Sequence, residues 1–209
     1  MRSIRTLTLA LLPLLAASPA FAQDTTDTGS AAGKRFAVVG SYTHLDPKSD
    51  VAPGLKADGG GAPTISASWY ATDNLAVELW GAADKFNHRV RADGVGKIGT
   101  VEQQPVALSG QWHFGQPGSV FRPFVGLGYY ESNFSNEDIS QGGPHVGLRN
   151  AKGAIGTVGL DMNINETWFA RTDVRYMHSR PEMRVAGAGT GQDLKLDPWV
   201  VGIGLGARF

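Results

Sequence analysis

His178 and Ser179, with Glu182 close behind, are the first residues in this chain that suggest chemistry. A serine hydroxyl beside an imidazole base and an acid is the set that small-barrel acyl hydrolases of the lipid A deacylase type use on ester-linked chains. Strand neighbours point to opposite faces, so the pair can act together only where a strand has ended. A histidine at a loop edge beside a serine also reads simply as a solvated pair. The other histidines, His44, His88, His113 and His145, include no two at ligand spacing, so no metal site is expected. Gly202-Ile203-Gly204-Leu205-Gly206 has the look of a nucleotide-binding turn, but no helix follows before Phe209. These glycines read instead as small residues on one face of a strand. Cysteine is absent, which excludes thiol catalysis, disulfides and a lipid-anchoring cysteine. No catalytic residue, cofactor or metal is therefore assigned.

The charged residues fall into a pattern. In the last strand Trp199, Val201, Ile203, Leu205, Ala207 and Phe209 share a face, against Val200, Gly202, Gly204, Gly206 and Arg208. The strand before it sets Trp168, Ala170, Thr172, Val174 and Tyr176 against Phe169, Arg171, Asp173, Arg175 and Met177. Six strands repeat this alternation. Their apolar face is charged only at Lys85, Glu102, Glu131 and Lys152, all near long connections. The other face carries Glu78, Asp84, Arg122, Asp161, Arg171, Asp173, Arg175 and Arg208. A soluble sandwich also alternates, so the aromatics decide. Trp112, Phe114, Phe121, Trp168 and Phe209 mark one end of the apolar face, and Tyr129, Tyr176 and Trp199 the other. Two aromatic girdles around an aliphatic band are a lipid-facing pattern. The charges then lie inside a barrel, where they must pair with one another. Ile65, Ala67 and Trp69 fit the lipid face of the second strand, with the register of the first two strands left open.

Strands are expected near 35–44, 62–71, 75–86, 102–114, 120–134, 152–164, 168–178 and 198–209. Short turns, Thr72-Asp73-Asn74, Gly115–Ser119 and Asn165-Glu166-Thr167, alternate with long connections at 45–61, 87–101, 135–151 and 179–197. The expected fold is thus all-β: an eight-stranded antiparallel transmembrane β-barrel with short periplasmic turns and long extracellular loops. Residues 1–22 read as a signal peptide, with basic Arg2 and Arg5, an apolar run from Leu7 to Ala17 and an Ala20-Phe21-Ala22 cleavage pattern. Residues 23–33 are a polar periplasmic lead-in, and 34–209 the barrel. The whole sequence holds nineteen basic and nineteen acidic residues. Losing Arg2 and Arg5 leaves seventeen against nineteen, so nothing speaks for a nucleic-acid partner.

Four stretches resemble the OmpW family of eight-stranded outer-membrane proteins. They are Tyr70-Ala71-Thr72-Asp73-Asn74-Leu75-Ala76-Val77-Glu78-Leu79, Arg122-Pro123-Phe124-Val125-Gly126-Leu127-Gly128-Tyr129-Tyr130, Trp168 to Tyr176, and Asp197-Pro198-Trp199 to Phe209. Gln104-Pro105 stands where the family usually has two prolines, and Gln111-Trp112-His113-Phe114 fits the aromatic end of that strand. The resemblance implies a Gram-negative outer-membrane location and a narrow, largely hydrophobic lumen that passes small hydrophobic molecules.

On this reading the protein is an outer-membrane channel or carrier and not an enzyme. A ligand would touch the inward Trp80, Phe124, Tyr130, Phe169 and Met177. Glu78, Arg122, Asp161, Arg171, Asp173, Arg175 and Arg208 would plug the periplasmic half, with release sideways into the bilayer. The same inward residues also read as plain barrel core, because an eight-stranded interior must be filled in any case. A structural or surface-interaction barrel is the alternative, and an acyl hydrolase the next. Expected partners are outer-membrane lipids, a small hydrophobic ligand and the barrel assembly machinery, which would read the terminal Phe209.

Overall fold

A computed structural model of the chain describes residues 33–47, 55–92, 94, 96–138, 146–148, 150–178, 182–185, 188–193 and 197–209. The segments expected as a signal peptide, 1–22, and, except for Gly33, as a polar lead-in, 23–33, lie outside these residues. In chain order the strands are β1 (Phe36–Asp46), β2 (Leu55–Ala57), β3 (Gly60–Tyr70), β4 (Leu75–Ala82), β5 (Phe86–Ala92), β6 (Gly96–His113) and β7 (Phe121–Asp138). They continue with β8 (Val146–Leu148), β9 (Ala151–Asn163), β10 (Trp168–Met177), β11 (Glu182–Val185), β12 (Ala188–Asp193) and β13 (Trp199–Arg208). Eight of them, β1, β3, β4, β6, β7, β9, β10 and β13, form one antiparallel ring, and β13 pairs back onto β1. Phe36 and Phe209 close the seam by exchanging backbone hydrogen bonds, each at 2.9 Å, with their rings stacked 6.2 Å apart.

The short turns are held by their own polar side chains. Thr72 Oγ1 accepts the Leu75 N–H at 2.9 Å, and Asn74 Nδ2 donates to the Gly115 carbonyl of the neighbouring turn at 2.9 Å. Asn165 Oδ1 accepts from the Thr167 and Trp168 N–H groups, an Asx turn that starts β10. Gly115 has φ 77°, a conformation that suits glycine at the end of β6.

The burial pattern is that of a soluble protein turned inside out. Leu127, Ile203 and Val158 are 78%, 69% and 63% exposed, whereas Glu78 and Asp161 are fully buried. The register of the first two ring strands is now fixed: Val38 pairs with Ala67 and Phe36 with Trp69, and Ile65 and Trp69 face outward. The outward charges pair across strands at the long-loop end, Lys85 with Glu102 at 2.6 Å and Lys152 with Glu131 at 3.1 Å.

Three expectations need correction. The strand expected unbroken from Leu75 to Phe86 is divided at residues 83–85 into β4 and β5. Asp84, expected inward, is exposed there, with Oδ1 accepting the Lys85 N–H at 2.7 Å. The connection expected at 87–101 is instead a hairpin of β5 with the start of β6, reversing near Gly94 and Gly96, both at positive φ. β7 likewise runs past Phe134 to Asp138 against β6. The cause is that an antiparallel ladder, once begun, satisfies the backbone as it lengthens, and polar composition does not stop it. β2 adds to β5, while β8, β11 and β12 form a separate small sheet.

Candidate functional site

Barrel closure puts the inward residues of eight strands on a common axis and sorts them by height. Nearest the short turns, β9 supplies Asp161, β10 Arg171 and β13 Arg208. Arg171 grips Asp161 through Nε at 2.6 Å and Nη2 at 2.9 Å, a bidentate pair. Arg208 Nη2 reaches Asp161 Oδ2 at 2.7 Å, and its Nη1 donates to Asn163 Oδ1. Arg122 of β7 donates to the Asp73 carbonyl at 2.6 Å, tying the cluster to a turn.

Glu78 of β4 carries the network upward. Its two carboxylate oxygens accept from Arg171 at 2.9 Å and Arg175 at 2.8 Å, and Arg175 Nε reaches Asp173 at 2.8 Å. All seven charged residues are buried to 5% exposure or less. Three of the guanidiniums, those of Arg171, Arg175 and Arg208, and the three carboxylates hold one another, and this pairing offsets their desolvation, while Arg122 is tied to the turn carbonyl instead.

Aromatic faces cover the guanidiniums. The Arg171 guanidinium carbon sits 4.5 Å from the Phe124 ring centre, Arg208 3.8 Å from Phe169 and Arg175 4.7 Å from Trp80. Each phenylalanine needs a glycine beneath it. A Cβ on Gly159 would lie 2.3 Å from Phe124, and one on Gly206 2.4 Å from Phe169. These are the residues directly opposite on the neighbouring strands.

Toward the long loops the interior becomes apolar. Leu45, Trp80, Phe86, Tyr130, Ile155, Met177 and Val200 pack together with four alanines. The Tyr130 hydroxyl donates to the His178 carbonyl at 3.1 Å, so its one polar atom is satisfied.

The structure therefore places the five inward aromatic and thioether residues singled out from the sequence in two different settings. Phe124 and Phe169 lie among the charges. Tyr130 and Met177 lie in the apolar cluster, and Trp80 touches both. Sequence reasoning missed Leu45, Phe86, Ile155 and Val200, although the last three had inward alternation parity; the register of the first strand, which carries Leu45, was left open. Leu45 lies just past the expected strand end, and Phe86 at the end of another. It also missed Tyr70 and His113 as members of the lower cluster. His113 is fully buried, stacked 4.9 Å from Phe124, with Nδ1 3.7 Å from Asp161. His178 is exposed at the rim with Nδ1 3.4 Å from Asp197, and Ser179 lies outside the described residues.

The OmpW family model matches residues 37–209. The chain is 33% identical to outer membrane protein W of Escherichia coli K12 over the full length of both. It is 28% identical to that of Vibrio cholerae over 96% of this chain and 97% of the relative. The crystal structure of OprG from Pseudomonas aeruginosa is similar at TM-score 0.74 and 28% identity, over 86% of this chain and 99% of OprG. Outer membrane protein AlkL, at 14% identity and TM-score 0.65, shares the fold. A closed eight-stranded ring, an apolar exterior with aromatic edges and a match along the whole barrel place this protein in the outer membrane of a Gram-negative bacterium, and the chain belongs to the OmpW family.

Proposed function

We propose that this barrel is a channel or carrier for small hydrophobic molecules, closed toward the periplasm and releasing its cargo sideways into the bilayer. The observation that carries the reading is the division of the interior: a paired ionic cluster in the short-turn half and an apolar cluster in the long-loop half. An apolar solute entering from the loops exchanges contacts with Leu45, Phe86 and Tyr130 at little cost. Met177 yields most readily, being unbranched. Further descent would separate buried ion pairs, at about 3–5 kcal/mol for each pair broken. Passing between strands into hydrocarbon separates no ion pair and requires instead a local opening of the hydrogen-bonded ladder near the loops. Assembly is proposed to use the aromatic end at Phe209, and the lipids around the barrel are its other partners.

The test is uptake of a small apolar fluorophore by vesicles containing the barrel, measured beside single-channel conductance. Uptake should exceed that of protein-free vesicles without a steady ion current. Met177→Asp should reduce uptake severalfold while the barrel still folds, because it sets a charge inside the apolar cluster. Large, stable currents would refute the plug. Uptake no greater than that of protein-free vesicles would leave a structural barrel.

A further inference from the structure

The wall formed by β6, β7 and β9 differs from the rest of the interior. Between Phe124 and Tyr130, β7 turns only Gly126 and Gly128 inward. Neighbouring strands lean over these glycines. A Cβ on Gly128 would lie 2.5 Å from Ser109 Oγ, and one on Gly126 3.6 Å from the Thr157 Cβ. Ser109 and Thr157 are the residues directly opposite them on β6 and β9. Both are buried, at 2% and 3% exposure, and neither hydroxyl has a hydrogen-bond partner among the described residues. A buried hydroxyl without a partner is costly, so two beside one glycine-lined stretch of wall imply that something completes them.

The surroundings define what that is. Thr157 lies opposite Arg175, and Ser109 opposite Glu78. Those ions are committed to each other and to Arg171 and Asp173. A carboxylate placed here would face Glu78 and Asp173, and an ammonium would face Arg171 and Arg175. A neutral group that both accepts and donates meets neither repulsion, and hydroxyls can serve it in either role. Above the site lies the apolar cluster with Tyr130 and Met177.

We propose that Ser109 and Thr157 form a neutral polar subsite for the hydroxyl or carbonyl end of an otherwise apolar solute whose body lies in the apolar cluster. The barrel then prefers alcohols and ketones of moderate length to plain hydrocarbons or fatty acids. This rests on the apolar-carrier reading and adds the substrate class.

Equilibrium retention of radiolabelled 1-decanol, decanoate and decane by barrel-containing vesicles, corrected for protein-free vesicles, tests it directly. Decanol should be retained roughly tenfold better than decane, the return on two neutral hydrogen bonds. Decanoate should fall below decanol. Thr157→Val with Ser109→Ala should reduce decanol to the level of decane and leave decane unchanged. Thr157→Val alone, nearly isosteric, should remove about half of the preference on a logarithmic scale if the double variant does not fold. Equal retention of decanol and decane by the native barrel, or a preference that survives in the variants, would mean the hydroxyls serve water only. That result overturns the subsite and spares the carrier. Retention of none of the three above protein-free vesicles would overturn the carrier reading and the subsite with it.

Discussion

Asp161→Asn probes the ionic cluster most directly. The native carboxylate accepts three charge-assisted hydrogen bonds: two from Arg171 at 2.6 and 2.9 Å and one from Arg208 at 2.7 Å. Such bonds contribute about 1.5–3 kcal/mol each, so the gross interaction is several kcal/mol. An asparagine keeps one acceptor oxygen but turns an NH2 donor toward a guanidinium that also donates. It also leaves Arg171, fully inside the barrel, with Glu78 as its remaining carboxylate among the described contacts. Removing one partner of a buried pair typically costs about 3–5 kcal/mol, and the upper part of that range is expected here because Arg208 loses its carboxylate among the described contacts while Arg171 loses one of two. Reversible urea unfolding in lipid vesicles, followed by tryptophan fluorescence, would measure it. The double variant Asp161→Asn with Arg171→Met should recover part of the loss by removing the orphaned charge. A cost below about 1 kcal/mol, or no recovery in the double variant, would show that the buried charges are not held as paired ions, and the reasoning would fail.

Three further outcomes are expected. Gly206→Ala should displace the Phe169 ring from Arg208 and cost about 1–3 kcal/mol in the same assay, whereas Gly40→Ala, where a Cβ meets nothing within 4 Å, should change stability by less than about 0.5 kcal/mol. Leu205→Arg should cost about 2–4 kcal/mol in vesicles because Leu205 is half exposed in the middle of the apolar band; indifference would place that band outside hydrocarbon. His88, on the β5 hairpin beyond the Lys85–Glu102 pair, is held below the ordinary imidazole pKa by burial, partly offset by its contact with the Asp58 carbonyl and by Asp46. The neutral ring is therefore the stabilising form. Amide-exchange protection of residues 86–92 should be full above the ordinary imidazole pKa and should fall as pH drops below it, and His88→Gln should flatten that dependence.

The barrel was legible because its two faces differ so sharply in chemistry. Trp199 to Phe209 alone shows the alternation, and once an outward face carries girdles of Trp and Tyr the remaining strands follow by parity. The charged cluster was legible for the same reason: Glu78, Asp161 and Arg171 share the inward parity. Their pairing was not, because Arg171 and Glu78 are distant in sequence and meet only across the closed ring. The break at Asp84 was hidden because parity is the same on both sides of it. The hairpin of β5 and β6 was hidden because its polar residues match a loop in composition, while its backbone pairing leaves no mark in side-chain type. The hydroxyls of Ser109 and Thr157 gave no signal at all. Serine and threonine are ordinary inward residues, and only the glycines opposite them on β7 set them apart.

Glu78 joins the two halves of the interior. It accepts from Arg171 below and Arg175 above, and Arg175 lies against Trp80, which belongs to the apolar cluster. A solute resting on Trp80 is therefore only one ring away from a guanidinium whose charge is already matched by Glu78 and Asp173. Matched charge is what allows an apolar surface to lie directly on an ionic one: an unmatched arginine would draw water upward and wet the cluster. The pairs of Arg175 with Glu78 and Asp173 thus leave no unmatched charge against Trp80 to draw water into the upper half. On the proposed carrier reading, stability and permeation rest on shared residues, so substitutions in the ionic cluster should alter both together. Substitutions at Met177, Ser109 and Thr157 touch none of the charge pairs and should alter binding alone.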